Sequence, residues 1–338
     1  MNVSQTIRER RTIRKFKSTP IAQEQIVSLL KEAAGFYEAE GTPHWRCLYI
    51  GTPEAREKLA EHMLAKVKES GLGKLLPAPM TNFMKKMTVD IPAHVIFIAE
   101  AADTQRQRDI NYAAVCSIIQ NLQLLGWEQG LGMLWYTDPM ICGESFYKRI
   151  GLREGERCAG ILEIGYFEKT PKARSRTPAE KNWTIIGEGS KPPSSLKSPS
   201  PQNILELLNE AVWAPNDGMR EPWRFIYVPG SPGGETALPF LLVVAKEEAD
   251  LHKQGEDYAA VCCLVQNFQL LAQAKPWQVR RLMSEWIYDK ERCKSFGLRP
   301  LERIVAVLEL GGEKKPSKLQ APPPSFNITL NFENTIRP

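Results

Sequence analysis

The sequence predicts two related lobes of mixed helices and strands, arranged as a pseudo-twofold dimer written in one polypeptide. Three observations predict it. The stretch Tyr112-Ala-Ala-Val-Cys116, with Gln120-Asn121 and Leu124-Leu125, returns as Tyr258-Ala-Ala-Val-Cys262, Gln266-Asn267 and Leu270-Leu271. Holding the offset of 146 (258 − 112) from Tyr112 to Lys172 gives 22 identities in 61 positions, beyond what chance supplies, so the stretch is an internal repeat. Within it, Val115, Ile118, Ile119, Leu122 and Leu125 follow the three-then-four spacing of one helical face, and small residues adjoin them. Such a helix is built for burial, and two copies of one core helix pack most simply about a twofold axis. Finally, a helix-then-strand pair also occurs twice. Ile26, Leu29, Leu30 and Ala33 precede Trp45–Ile50, and Ile204, Leu207, Leu208 and Ala211 precede Trp223–Val228, at an offset of 178 (223 − 45).

Composition sets the class. With 338 residues, 43% apolar and 25% charged, the chain has room for two cores. A formal net charge of +5, spread along the sequence, argues weakly for an anionic ligand and hardly at all for nucleic acid. Seven cysteines without metal-like spacing predict no metal site. Cys116, Cys262 and Cys263 fall on the repeated helix as small buried hydrophobes, which suits a reducing compartment. The first residues have no apolar core of a signal peptide, and no run approaches the ~18 apolar residues of a membrane span. A cytoplasmic protein without membrane attachment is expected.

In chain order, residues 4–10 read as a short helix, followed by Arg10-Arg11-Thr12-Ile13-Arg14-Lys15-Phe16. That density of charge has two readings: a solvated turn, or an oxyanion grip in which guanidinium forks bind bidentately and the Thr12 hydroxyl donates between them. The first helix–strand pair follows, and then residues 53–90, mostly helical in pattern but broken at Gly71, Gly73, Pro77 and Pro79. The fall of the offset from 178 to 146 means that the second copy lacks 32 residues here, keeping only a Pro/Gly loop from Pro229 to Leu238. Strands Ala93–Ala99 and Pro239–Ala245 then lead into the repeated helix, with His94 expected as a surface or packing residue. After the helix, Gly130-Leu-Gly-Met-Leu-Trp135 is a glycine-rich turn into a strand, where a ligand could approach backbone N–H groups. Its counterpart, Pro276-Trp-Gln-Val-Arg-Arg281, carries proline and bulky side chains instead. Closing strands at Ile161–Gly165 and Val305–Gly311 complete the copies. The expected division is lobe one at 1–186, a Gly/Ser/Pro/Lys linker at 187–201, a truncated lobe two at 202–318, and an extended C-terminal segment at 319–338.

These residues resemble the FMN-dependent nitroreductases, an α+β family that forms intertwined homodimers with flavin at the subunit interface. The resemblance rests on Arg10–Phe16, the Gly130-Leu131-Gly132 turn, Ala214-Pro-Asn-Asp-Gly-Met-Arg-Glu-Pro-Trp223 and the repeated helix. It implies lobes with mostly antiparallel sheets, and it implies cofactor contacts at Arg10, Arg11, Thr12, Arg14, Leu131 and Gly132. From the second copy it implies Pro215, Asn216 and Asp217. Asn82 and Lys85 correspond, after a small shift, to polar groups that family members place over the flavin ring. Lys172 and Arg174 match a basic pair used for the phosphate in some members, a solvated tail being the alternative. The parts are unequally shared. Copy one has the Arg segment but Glu38–Trp45 lacks the family's Pro-Ser pattern, whereas copy two keeps Ala214–Trp223 without the Arg segment or the glycine turn. One complete site between the lobes is therefore implied, and a chain that is monomeric in solution. Asn216, Met219 and Glu221 depart from the Ser, Asn and Gln common in the family, which alters the ring contacts of that stretch.

The implied function is FMN-dependent reduction of a small nitro, quinone or similar electron-poor acceptor by ping-pong hydride transfer from NAD(P)H. The cofactor carries that chemistry, so no catalytic acid, base or nucleophile is named. Arg14 is the expected stabiliser of negative charge on the reduced ring. The alternative is a flavin- or nucleotide-binding protein without turnover, which the changes at Asn216, Met219 and Glu221 would suit.

Overall fold

The computed structural model describes residues 2–69, 73–187, 198–230, 238–312 and 326–336. Gly71 and the parts of the expected linker, Pro/Gly loop and C-terminal segment at 188–197, 231–237, 319–325 and 337–338 lie outside the described residues. The elements run α1 (Val3–Glu9), α2 (Gln23–Gly35), β1 (Trp45–Ile50), α3 (Pro53–Glu69), α4 (Ala78–Asp90), β2 (Ala93–Ala99), α5 (Gln105–Glu128), β3 (Leu131–Tyr136), α6 (Glu144–Arg149), β4 (Arg157–Tyr166) and β5 (Trp183–Ile185). They continue with α7 (Pro201–Ala211), β6 (Trp223–Val228), β7 (Phe240–Lys246), α8 (Leu251–Ala272), β8 (Val279–Leu282), α9 (Lys290–Ser295), β9 (Glu302–Leu310), β10 (Asn327–Leu330) and β11 (Asn334–Ile336). The fold is α+β. It contains two compact units, each drawn from both halves of the chain rather than from one lobe apiece.

The first unit comprises Arg10–Ala34, Pro43–Ala173 and Pro322–Pro338. Its sheet has the order β11-β10-β1-β2-β4-β3, antiparallel throughout except that β10 lies parallel to β1. The extended C-terminal segment is thus, in its described part, a pair of added strands. The repeated helix α5 starts at Thr104, whose side chain accepts from Gln107 N, and is buried almost all round from Asp109 to Gly126. A helix of that kind carries polar groups that need partners inside. Asn111 donates to Glu100 O at 3.0 Å and accepts from His44 N at 2.9 Å, and Asn121 donates to Ala33 O at 2.8 Å, meeting a last-turn carbonyl of α2. The region read as a broken helical insert is α3, a 3₁₀ turn at Gly73–Leu75, and α4, which starts directly after Pro77. Leu59, Met63 and Val67 of α3 pack with Phe146 of α6 on Leu48, Ile50, Ile96, Ile98 and Ile161 of the sheet.

The second unit comprises Met1–Glu9, Gly35–Thr42 and Arg174–Ala321. Its sheet, β5-β6-β7-β9-β8, is antiparallel except for β5, which lies parallel to β6. Helix α7 begins at a capping box between Ser200 and Asn203, with Pro201 at its first turn. α8 is buried from Asp257 to Ala272, with Cys262 and Cys263 among those residues, as Cys116 is on α5. Asn267 donates to Ala211 O at 3.1 Å, the bond that Asn121 makes in the first unit.

Further particulars recur in both units. The ladder of β2 with β4 is irregular between Phe97 and Ile98, and that of β7 with β9 between Val243 and Val244, again 146 residues on. Arg157 lies over the Tyr112 ring at 3.5 Å, and Arg303 over the Tyr258 ring at 4.6 Å. Arg46 grips Glu156 bidentately at 2.8 and 2.7 Å and reaches Gly151 O at 2.9 Å; Arg224 grips Glu302 at 2.9 and 2.6 Å and reaches Gly297 O at 3.0 Å. Among the described residues no helix is long and apolar enough to cross a membrane, and no group of three or more His, Cys, Asp or Glu could hold a metal ion.

The Arg46 and Glu156 side chains are 8% and 3% exposed, so removing one partner strands a buried charge. Arg46→Met is expected to lower the unfolding free energy by roughly 3–5 kcal/mol, and adding Glu156→Leu to recover much of it. Urea denaturation measures both; a loss below about 1 kcal/mol for the single change would mean that the pair carries little of the fold.

Candidate functional site

After α1 the chain turns extended and runs beside β3, the last strand of the first sheet. Ile13 N donates to Met133 O at 3.1 Å, Thr12 bridges Met133 in parallel, and Lys17 N donates to Tyr166 O at 2.7 Å. The contacts with Met133 cover the open edge of the sheet, and the bond to Tyr166 ties the segment to the end of β4. Two glycines make the seat. A Cβ on Gly132 would stand 2.4 Å from Ile13 Cγ1 and 2.8 Å from Phe167 Cδ1, and one on Gly165 would stand 2.8 Å from Phe16 Cβ. Gly132 therefore lies within a strand, and the room above it is filled by Ile13 and Phe167. Ile13 is 2% exposed, and with that side chain turned inward Arg14 emerges on the surface.

The basic residues of this segment occupy different environments. Arg10 is buried and donates to Gln123 Oε1 at 3.3 Å; Arg11 is half-buried and donates to Arg10 O at 2.8 Å. Thr12 is half-buried. Arg14 is exposed, with no hydrogen bond or ion pair to any described residue, and Lys172 is placed likewise. Leu131 is wholly buried. On α4, Asn82 is exposed, and Lys85 Nζ meets Glu61 Oε1 of α3 at 3.1 Å. That pair is largely in water, so it holds Lys85 only weakly.

Glu163, which the sequence pattern does not single out, sits beside these groups. It lies on β4, opposite His94 of β2 and Leu134 of β3 in one cross-strand row. The residue is 9% exposed and makes no hydrogen bond or ion pair with any described residue. Burial pushes its carboxyl up to about 7, against the opposing pull of the Arg14 charge. His94 is a packing residue: it is fully buried, its Nε2 lies 3.0 Å from Thr88 O, and burial drives the imidazole down to about 4. Tyr136, two places along β3 on the same face, is raised by burial, then by Asp138 and other nearby acids including Glu163. The available signal was an acid inside the apolar run Ile161-Leu-Glu-Ile164, repeated as Glu309 in Ala306-Val-Leu-Glu-Leu310.

In the second unit, the stretch from Ala214 to Trp223 is a tight turn with Gly218, Met219 and Glu221 at φ of 56°, 60° and 47°. Two non-glycine residues in the left-handed region store strain that the surroundings must offset. The bracing is visible. Asn216 Oδ1 accepts from Glu221 N at 3.1 Å, and Asp217 pairs with Arg220 Nη1 at 3.1 Å. Arg220 also reaches Asp257 at 3.0 Å and Glu256 at 3.2 Å, and the Glu221 carboxylate accepts from Thr177 N at 3.0 Å. The side chains of Asn216 and Asp217 thus serve their own turn, while Pro215 is half-buried. Arg174 is exposed, without a described partner, and in the chain positions matching Gly130 and Leu131 stand an exposed Pro276 and a buried Trp277.

A sequence profile described as the nitroreductase family matches residues 7–166. The chain is 32% identical over 178 residues to "Putative NAD(P)H nitroreductase YfhC" of Bacillus subtilis (strain 168), over 53% of this chain and 91% of that protein. It is also similar to the crystal structure of the nitroreductase-like family protein from Bacillus cereus, with a TM-score of 0.51 and 31% identity, over 56% of this chain and 97% of that one. About half of this chain therefore suffices to match nearly the whole of either relative.

Because Glu163 holds its proton more tightly when folded than the usual carboxyl near 4.5, the folded state binds more protons than the unfolded one across that interval. Stability then falls as pH rises from about 4.5 to about 7 and stays reduced above it. Glu163→Gln is expected to raise the melting temperature at pH 8, by a free energy on the order of 3 kcal/mol, and to change it little at pH 5. Equal effects of the substitution at both pH values in thermal melts would show that this carboxyl does not titrate there.

Proposed function

The chain belongs to the nitroreductase family, and from that premise we propose that it is an FMN-dependent oxidoreductase taking electrons from NAD(P)H to a nitro, quinone or similar electron-poor acceptor. When bound, the flavin supplies the redox chemistry in ping-pong order. The chain's own residues bind and orient it. The observation that carries this reading is the segment Arg10–Lys17, seated on β3 so that Arg14 stands exposed without an ion pair to a described residue. The residues fit an anionic ligand. Arg14 and Lys172 are exposed cations of the first unit with no ion pair to a described residue, and the Thr12 hydroxyl lies between Arg11 and Arg14 along the seated segment. Arg10, already spent on Gln123, holds the segment in place. A guanidinium fixed in place by the seated segment meets negative charge on a ligand without first reorganising, which is the role assigned to Arg14.

The recurring strand order, ladder irregularity and Arg–Glu grips support reading the two units as copies of one ancestral domain, the second shortened by the absence of α3 and α4. One FMN per chain is expected. The second copy has no counterpart of Arg10–Arg14, and Pro276 and Trp277 stand where Gly130 and Leu131 lead into β3. One chain also supplies both of the copies that family homodimers draw from two subunits, so a monomer in solution is proposed, in the cytoplasm. The commitments of Asn216, Asp217 and Glu221 to their own turn favour a second reading, a flavin-binding protein without turnover.

An absorbance titration separates these readings. The expected result is one equivalent of FMN bound, bleached anaerobically by NADPH and recovered on adding a nitroaromatic. Bound flavin that does not bleach supports the second reading, and no binding after loading with FMN excludes both. Arg14→Ala is expected to weaken FMN binding roughly tenfold to a hundredfold, since hydrogen bonds to charged groups are worth about 1.5–3 kcal/mol.

A further inference from the structure

The two units place an acid at the same point of the same sheet and treat it differently. Glu309 of β9 lies opposite Arg280 of β8 and is paired with it at 2.9 Å. Glu163 of β4 lies opposite Leu134 at the matching place on β3, so the arginine that would neutralise it is missing. Its carboxyl has no hydrogen bond or ion pair among the described residues, and the positive charge acting on it is Arg14, carried in by the seated segment. Each unit thus has a buried acid that feels the charge of one arginine, as an ion pair in the second unit and without one in the first. In the second unit that arginine belongs to the sheet itself; in the first it is the exposed residue proposed above to meet a ligand.

An arginine shared in this way sets up a competition. While Arg14 is unoccupied, its charge stabilises the ionised form of Glu163. Once the phosphate of the cofactor lies against Arg14, that support is offset, and an ionised Glu163 would add a repulsive charge in a low-dielectric place. Resting on the flavin reading, we propose that Glu163 couples proton uptake to FMN binding: the anionic cofactor seats on Arg14 only with the Glu163 carboxyl in its uncharged form. Glu163 is in this sense a positioning residue, acting on the ligand through Arg14.

The other groups facing Glu163 do not supply this coupling. His94 on β2 is held neutral with its proton affinity driven down to about 4, and Tyr136 on β3 is driven upward. Arg56 of α3 is bound to Val89 O and Ile91 O at 2.8 and 3.0 Å, Lys85 of α4 is paired with Glu61, and Asp138 is engaged with the Tyr136 phenol. The sign follows. Ligand binding raises the affinity of Glu163 for its proton, so binding takes up protons near and above pH 7 and weakens as pH rises.

The experiment is FMN titration by fluorescence quenching from pH 5.5 to 8.5, on the full chain and on Glu163→Gln and Glu163→Asp. The phosphate of FMN titrates near pH 6 and affects all three alike. The dissociation constant of the native chain is expected to rise about tenfold more between pH 6.5 and 8.5 than that of Glu163→Gln. Glu163→Asp, which keeps a titrating carboxyl, should retain a pH dependence. Calorimetry at pH 7.5 in buffers of different ionisation enthalpy should show more proton uptake for the native chain than for Glu163→Gln. Parallel pH profiles for the native chain and Glu163→Gln, or uptake unchanged by the substitution, overturn the inference while leaving flavin binding intact. No FMN binding by the native chain at any pH removes the flavin reading itself, and this inference with it.

Discussion

Ile13 against Gly132 is the contact on which the rest of the site depends. A strand edge leaves backbone groups open, and Thr12 and Ile13 pair with Met133 at that edge of β3, while Lys17 N bonds Tyr166 O at the end of β4. The segment lies close only because Gly132 and Gly165 have no side chains to hold it off. Burying Ile13 then decides which way the next residue points, so an apolar contact places a charged group. Loops carry function best when a rigid scaffold positions them, and here the scaffold is a sheet with α5 packed on it.

The second unit serves as an internal comparison. It keeps the features that hold a sheet together: the Arg224 grip on Glu302, the Asn267 bond to α7, and the buried α8. It differs where a ligand would matter. Gln278 stands where Gly132 does, Arg280 where Leu134 does, and Glu309 is neutralised. Packing constraints act on both units alike, whereas the unpaired acid and the seated arginine occur in the first. That separation allows a functional reading of Glu163 and Arg14 to be distinguished from a purely structural one.

Much of the fold was legible in the residues. Helices under Ile26–Ala33 and Ile204–Ala211 carry clean periods because one face of each is buried, and the strands at 45–50 and 223–228 read as short, mostly apolar runs because both of their faces are largely covered. The short elements were not. α6, α9, β5 and the C-terminal strand pair span three to six residues, too few for a period to register, and their positions are set by neighbouring strands. The candidate site was legible as residue types, not as environments. Nothing in Arg10-Arg-Thr-Ile-Arg14 says that Arg10 is buried on Gln123 while Arg14 is exposed; that follows from the pairing with β3. Nor does the chain around Asn216 and Asp217 show that Glu221 N and Arg220 already occupy them. Glu163 escaped notice for the same reason, since an acid within a strand looks like an outward-facing position until both neighbouring strands are in place.

The central claim is that an anionic flavin binds on the strand seated by Ile13, at the charge that seat presents. Hydrogen–deuterium exchange of the intact protein, with and without saturating FMN, tests it most directly at the amides of residues 11–17 and 131–136. The account predicts added protection concentrated in those two stretches. FMN bound with both stretches unchanged, and protection appearing elsewhere, would contradict it.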